Sequence, residues 1–505
     1  MDNHNDQGGN FLVASSLKML SSQYCLSIFN IFCFMYLLRV LTHVEVAIIA
    51  IFEILTSIYG FSELGLNSVM IKFCPSSLNT NGDSNKAYGL IKLTILVQGF
   101  VLFCMVGITY FFAAFISYQF LKTDSYAWAI HIISPGAALT ILFSTLRGIA
   151  QVSEMYSLIA RWIFLAGFLK QSIAIVLLLK YGFRGYIAGL TIASAISVIS
   201  ISISLRKFLI NRIPCASFWD TFCYGFPLYL RSFMRYGFKE LDQALVGLLL
   251  SPQVLATYSV ARRFINYLNQ AFEFIITPVM VRSLALIDSP SGVIQLFAKQ
   301  SIRYFLFLTM PACVFVALSS PWLMYIYGGS KYFTGWPVLA FLSIGQLFYA
   351  INSIIAIYVF ALKAPKATLI VEGAIGLFNY IFGPLLIIFM GLYGMITAQI
   401  LGYAIGIAIS TKILRLDDIF IRWSNISVMI FPLIISSSLT IIGMLTCFNL
   451  LVPPVVICFA FILYLVIFMR QLSDEDHCRI RALVPKNVLT IIDYIIKKQR
   501  KGYLL

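Results

Sequence analysis

The chain is written almost wholly in apolar stretches long enough to cross a bilayer, and the stretches of its second half repeat those of its first at an offset of about 210 residues. Two junctions carry the repeat in individual residues. Gly182, Gly185, Ala193 and Ser197 fall on Gly391, Gly394, Gly402 and Gly406, and Val69-Met70-Ile71-Lys72 falls on Val279-Met280-Val281-Arg282. Small residues match small ones and basic ends match basic ends. Secondary transporters are commonly built from such duplicated helix arrays, with the site at the interface near the bilayer midplane.

A soluble fold is excluded by composition: with 60% hydrophobic and 11% charged residues in 505, the apolar surface exceeds what one water-soluble core could hide. Segments of about 20 apolar residues suit a hydrocarbon layer about 30 Å thick. About fourteen are read, near 15–38, 46–71, 89–117, 126–146, 156–179, 185–204, 222–249, 253–280, 301–327, 335–361, 368–390, 392–413, 425–447 and 451–470. The expected fold class is an all-α polytopic membrane protein. Its expected parts are a six-helix bundle over 1–210, a pseudo-symmetric one over 211–424, two added helices over 425–470 and a cytoplasmic amphipathic tail over 471–505. Met1 to Asn10 is polar and lacks a basic n-region, so no cleavable signal peptide is expected.

Lys and Arg in short loops resist translocation, which orients the chain. With the N-terminus inside, the cytoplasmic connections carry Lys72, Lys86, Arg206, Lys207, Arg212, Arg282, Lys299, Arg303, Lys363, Lys366, Lys412, Arg415 and Arg422. The outer ones keep only Arg39, Lys122, Lys180, Arg184 and Lys331. Both termini are then cytoplasmic, and the net charge of +16 reflects topology, not nucleic-acid binding.

Little in the chain suits catalysis. The ten cysteines are scattered singly, as packing residues are, and the four histidines, His4, His43, His131 and His477, stand apart from any nucleophile-acid pair or metal spacing. The expected outer connections are too short for a catalytic glycan polymerase loop, and no phosphate-binding G-x-x-x-x-G-K-[ST] occurs. Neither a metal nor a cofactor is implied.

The informative residues are charges inside the expected spans. Arg231, Arg235 and Lys239 follow at i, i+4 and i+8, with Asp242 three further on, so a continuous helix puts all four on one face. Each basic residue at the bilayer centre costs about 2.5–3.5 kcal/mol on insertion scales unless it meets protein or water. The stripe therefore lines a hydrated cavity, or else forms an internal salt-bridge row such as Lys239 with Asp242. The next span is polar on one face through Arg262, Asn266, Asn269, Gln270 and Glu273, with Arg263 beside it. Under the repeat Glu53 maps near Arg263 and Glu63 onto Glu273. Glu53, Glu63, Asp242 and Glu273 are candidates for ion coupling or, equally in keeping with the pattern, for neutralising Arg and Lys together with Glu372. Arg147, Arg161 and Lys170 either extend the positive lumen or snorkel. Gly185/Gly189 and Gly402/Gly406 have the spacing of close helix packing, and Pro135, Pro227, Pro278, Pro311 and Pro384 can bend spans. Beyond Pro485, Val488, Leu489, Ile492, Ile495 and Ile496 share a face ahead of Lys497, Lys498, Arg500 and Lys501. That suits a helix on the anionic inner leaflet or on the protein's own cytoplasmic face.

With these features the chain resembles the polysaccharide exporters of the multidrug/oligosaccharidyl-lipid/polysaccharide (MOP) flippase superfamily, the O-antigen-type translocases. The resemblance covers nearly the whole chain. It rests on the fourteen-segment layout, on Gly65-Leu66-Asn67-Ser68-Val69-Met70-Ile71-Lys72, on Tyr258-Ser259-Val260-Ala261-Arg262-Arg263 after an intramembrane Asp242, and on Leu472-Ser473-Asp474-Glu475-Asp476. It implies two six-helix bundles around a central cavity, two appended helices, and an oligosaccharide on polyprenyl pyrophosphate as cargo, moved across the cytoplasmic membrane for surface polysaccharide synthesis. The anionic headgroup would meet Arg231, Arg235, Lys239, Arg262 and Arg263. Membrane lipids and polysaccharide-assembly proteins are the expected partners, and the duplicated halves suffice for a functional monomer. A lipid II flippase shares the pyrophosphate-linked cargo. A multidrug cation antiporter shares the fold but favours an acidic cavity and twelve spans. A membrane glycosyltransferase or polymerase would need the outer loop that is not expected here.

Overall fold

The computed structural model describes residues 23, 25–79, 84–153, 155–209, 217–285, 291–363 and 365–414; the spans expected over 425–470 and the tail over 471–505 lie outside them. The described residues are helical with no strand. The helices run α1 (Cys25–Val40), then α2 (His43–Tyr59), a 3-10 turn (Gly60–Glu63), α3 (Leu66–Asn79), α4 (Ser84–Phe111), α5 (Ala113–Leu121), α6 (Ala127–Val152), α7 (Tyr156–Ser204) and α8 (Arg206–Leu209). There follow α9 (Phe218–Lys239), α10 (Leu241–Leu249), α11 (Pro252–Ala285), α12 (Ser291–Gly328), α13 (Ser330–Phe333), α14 (Trp336–Lys363), α15 (Pro365–Met390) and α16 (Leu392–Leu414). Among the described residues, eight helices are long and apolar enough to cross a membrane.

Two segments read as single spans are jointed instead. The stretch 46–71 breaks after α2 into the 3-10 turn, then passes through Leu64 (φ 47°) and Gly65 (φ 77°) into α3. Only glycine fits at 65, because a Cβ there would stand 2.3 Å from the Gly225 carbonyl oxygen where α9 crosses. The stretch 222–249 breaks at Glu240, whose φ of −129° ends α9 and starts α10. The four residues Arg231, Arg235, Lys239 and Asp242 therefore do not share one continuous helical face.

The repeat is visible in the backbone. Gly182, within α7, turns the chain back at φ 66°, and Gly391 does the same at φ 58°. A Cβ on Gly185 would stand 2.2 Å from the Leu177 carbonyl oxygen, and one on Gly394 would stand 1.9 Å from that of Leu386. Both glycines let a returning helix touch the backbone it has just left. One buried cluster lies within the first half (Met70, Ile91, Ile149, Ile201) and one within the second (Phe305, Ile354, Val371, Ile375). The largest joins Leu37, Ile48 and Ile51 of the first half to Tyr258, Ala261, Met324 and Leu339 of the second. At that seam α2 packs on its repeat equivalent α11, with α3 against α9 and α5 against α10 alongside.

Replacing Gly394 by Ala is expected to destabilise the protein by about 1–3 kcal/mol through overpacking, whereas Gly373→Ala, where a Cβ meets nothing within 4 Å, is expected to be neutral or slightly stabilising. Thermal unfolding of the two purified variants beside wild type checks the contrast.

Candidate functional site

Every cation singled out in the second half meets a carboxylate, as the cost of a charge in hydrocarbon demands. The guanidinium of Arg231 on α9 donates to both oxygens of Glu372 on α15, from Nε at 2.7 Å and from Nη2 at 3.0 Å. Arg235, one turn on, reaches the same carboxylate at 3.4 Å with its side chain still 48% exposed. Lys239 Nζ lies 3.9 Å from Glu273 on α11. The Lys239–Asp242 pair weighed from sequence is not formed, because the break at Glu240 turns Asp242 onto α10.

Asp242 instead belongs to Arg262. Its Oδ2 lies 3.1 Å from Arg262 Nε and accepts from the Tyr258 hydroxyl at 2.5 Å. Arg262 also donates to the Gln243 side-chain oxygen at 2.5 Å, contacts Glu240 at 3.2 Å, and donates to the Lys239 carbonyl. That last bond satisfies an acceptor at the end of α9, so the arginine stabilises the helix break as well as the carboxylate. Gln243 then donates to Glu53 on α2 at 3.3 Å, and Arg263 closes the link by pairing with Glu53. Glu53 maps near Arg263 under the repeat, and two near-equivalent positions that touch each other lie close to the axis relating the halves. Arg263 also sits 3.5 Å over the Phe34 ring, and Lys170 sits 4.6 Å over the Phe52 ring. The remaining candidate, Glu63, lies elsewhere, beside Asn67 and Arg147. Arg161 is exposed.

Two adjoining cavities open among these groups. The first, about 290 Å³, takes the polar face of α11 (Arg262, Asn266, Asn269, Gln270, Glu273) together with Lys239, Glu240, Asp242, Gln346, Tyr349, Gln399 and Tyr403. The second, about 340 Å³, takes Arg231, Arg235, Lys239, Glu273 and Glu372 with Asn352, Ser353 and Thr368. Lys239, Asn269, Glu273 and Tyr349 line both. All these residues come from the second half. Their charges differ: the first cavity holds two cations against three carboxylates, the second three against two. Arg263 lines neither cavity and faces the seam. Glu240, Gln243 and the residues from α14 and α16 were not singled out from sequence, since no spacing along the chain ties them to α9.

The chain matches the family model described as "Polysaccharide biosynthesis protein" over residues 36–337, and it belongs to that family. No curated protein sequence matches it. Among solved structures it is similar to the lipid II flippase MurJ in an inward closed conformation, with TM-score 0.71 and 18% identity over 91% of this chain and 99% of that one. An inward-facing multidrug resistance MATE transporter of the MOP superfamily gives TM-score 0.59 and 12% identity over 78% of this chain and 96% of that one. A MOP superfamily transporter from Pyrococcus furiosus, described as having a binding pocket of reverse polarity, gives TM-score 0.54 and 11% identity over 81% of this chain and 96% of that one. The fold is thus that of the MOP superfamily transporters and flippases, in a multi-pass membrane protein, and the resemblance read from sequence holds at that level.

Removing either member of the Glu53–Arg263 pair strands the other at the seam. Glu53→Gln and Arg263→Gln are each expected to cost about 1–3 kcal/mol, and the double variant less than their sum. Unfolding of the three variants in detergent gives the coupling energy directly.

Proposed function

We propose that the protein is a flippase that moves a polyprenyl-pyrophosphate-linked oligosaccharide across the cytoplasmic membrane for surface polysaccharide assembly. The carrying observation is the cation surplus of the second cavity, where Arg231 and Arg235 share the single carboxylate Glu372 and Arg235 keeps half its surface free. Charges about 4 Å apart attract by about 4 kcal/mol at an effective dielectric of 20, against about 1 in water. An anionic headgroup is thus drawn to Arg235, with Arg231 and Lys239 around it. Membership of a polysaccharide biosynthesis family supports the glycan part of the cargo.

In this reading the bundles 1–210 and 211–424 rock about the Glu53–Arg263 axis, the headgroup crosses through the charged interior, and the polyprenyl tail stays in lipid. Both termini face the cytoplasm, and a single copy of the chain suffices. The carboxylates Glu53, Asp242, Glu273 and Glu63 act first as counter-charges. Coupling to an ion would require one of them to release its cation during the cycle.

Arg235→Ala, at matched expression in a strain lacking the chromosomal copy, is expected to cut surface glycan at least about tenfold while lipid-linked repeat units accumulate inside; Arg235→Lys is expected to retain part of the signal. Normal display with Arg235→Ala would remove this residue from the headgroup site. The similarity to MurJ over most of both chains supports a lipid II flippase as the second reading. Rescue of cells depleted of their own lipid II flippase would favour it.

A further inference from the structure

Of the expected spans' outer connections, few keep a lysine, yet Lys122 and Lys331 stand at nearly equivalent points of the repeat. Lys122 follows α5 in the first half. Its backbone is left-handed (φ 58°), and its ammonium donates to the Gln119 carbonyl at 2.8 Å and to the Leu248 carbonyl at 3.1 Å. Leu248 lies in the last turn of α10, in the second half, where carbonyls lack partners inside the helix. Lys331 lies in α13 of the second half, and its ammonium donates to the carbonyl of Leu41, the residue that follows α1 in the first half. Each half therefore sends a lysine to the carboxyl end of a helix in the other. Both ends carry the negative pole of a helix dipole, which an ammonium stabilises.

Ring contacts pack beside each of the two lysine contacts. The Phe120 ring seats against Gly247, where a Cβ would stand 2.6 Å from the ring, and Tyr332 is fully buried with its ring 4.8 Å from that of His43. The Lys122–Leu248 and Lys331–Leu41 contacts both cross between the halves, so moving the halves apart at this end breaks the two together. The opposite end is held differently, by Gly65 against Gly225 and Lys72 on the Tyr224 hydroxyl.

We propose that Lys122 and Lys331 form a reciprocal latch, related by the repeat, that holds the two halves shut at the membrane face carrying the α5–α6 and α13 turns. The latch is independent of the cargo. Its position at the face expected to be outer makes it the contact to be broken for release.

The test uses the purified full chain in lipid nanodiscs without substrate, carrying spin labels at Tyr181 and Met390, exposed positions beside the repeat-related turns of the two halves. Wild type is expected to give one dominant short distance. Lys122→Met and Lys331→Met should each raise the longer-distance population about two- to fivefold, as expected for one charge at a helix end, and the double variant by about the product. Lys→Arg at both positions should restore the wild-type distribution. An unchanged distribution in the double Met variant, an effect of only one lysine, no rescue by Arg, or a wild type already open at this end would each overturn the proposal.

Discussion

An ionised side chain in the hydrocarbon layer must find an opposite charge or water, and the interior of this protein is arranged around that demand. Six cations, Lys170, Arg231, Arg235, Lys239, Arg262 and Arg263, gather around five carboxylates, Glu53, Glu240, Asp242, Glu273 and Glu372. The match is close but uneven. At the seam the charges are bound to one another and to Gln243, which ties α10, α11 and α2 into one network. Away from the seam, at Arg231 and Arg235, two guanidiniums share one carboxylate. The same pairing that makes the bundle tolerable in a membrane leaves Arg235 half exposed beside a carboxylate it shares with Arg231.

Pairing also shapes the backbone. Arg262 can donate to the carbonyl freed at Lys239 because α9 ends there, with Asp242 turned onto α10 and toward Arg262. The break gives two helices, α9 and α10, in place of one continuous helix. The Glu53–Arg263 pair lies close to the axis of the repeat, where a single ion pair serves both halves, while the lysine contacts at one face occur twice because they lie off that axis. Contacts near the axis can persist as the halves tilt, and contacts far from it must break.

Much of the fold was legible in the sequence because membrane spans and a repeat of about 210 residues are patterns of composition and spacing. The polar face of α11 was legible for the same reason: α11 is one continuous helix, so residues 262, 266, 269, 270 and 273 reach one cavity as their spacing says. The stripe on α9 was misread past Lys239, since the helix break depends on an arginine of another helix and leaves no mark in local propensity. Partner assignment was illegible in principle. Glu372 is 141 residues from Arg231, and only the packing of α15 on α9 brings them together. Nor was the completion of the two cavities legible, because it depends on glutamine, asparagine and tyrosine side chains of α14 and α16 that only packing brings beside α9 and α11.

If the cation surplus around Arg235 is a site for a phosphate-bearing headgroup, inorganic pyrophosphate titrated into the purified wild-type protein and into Arg235→Ala and Arg231→Ala/Arg235→Ala variants will separate the three by thermal stability. Wild type should be stabilised in a saturable, salt-sensitive way, more weakly in the single variant and not in the double one. Equal stabilisation of all three proteins, or none of wild type, would contradict the account.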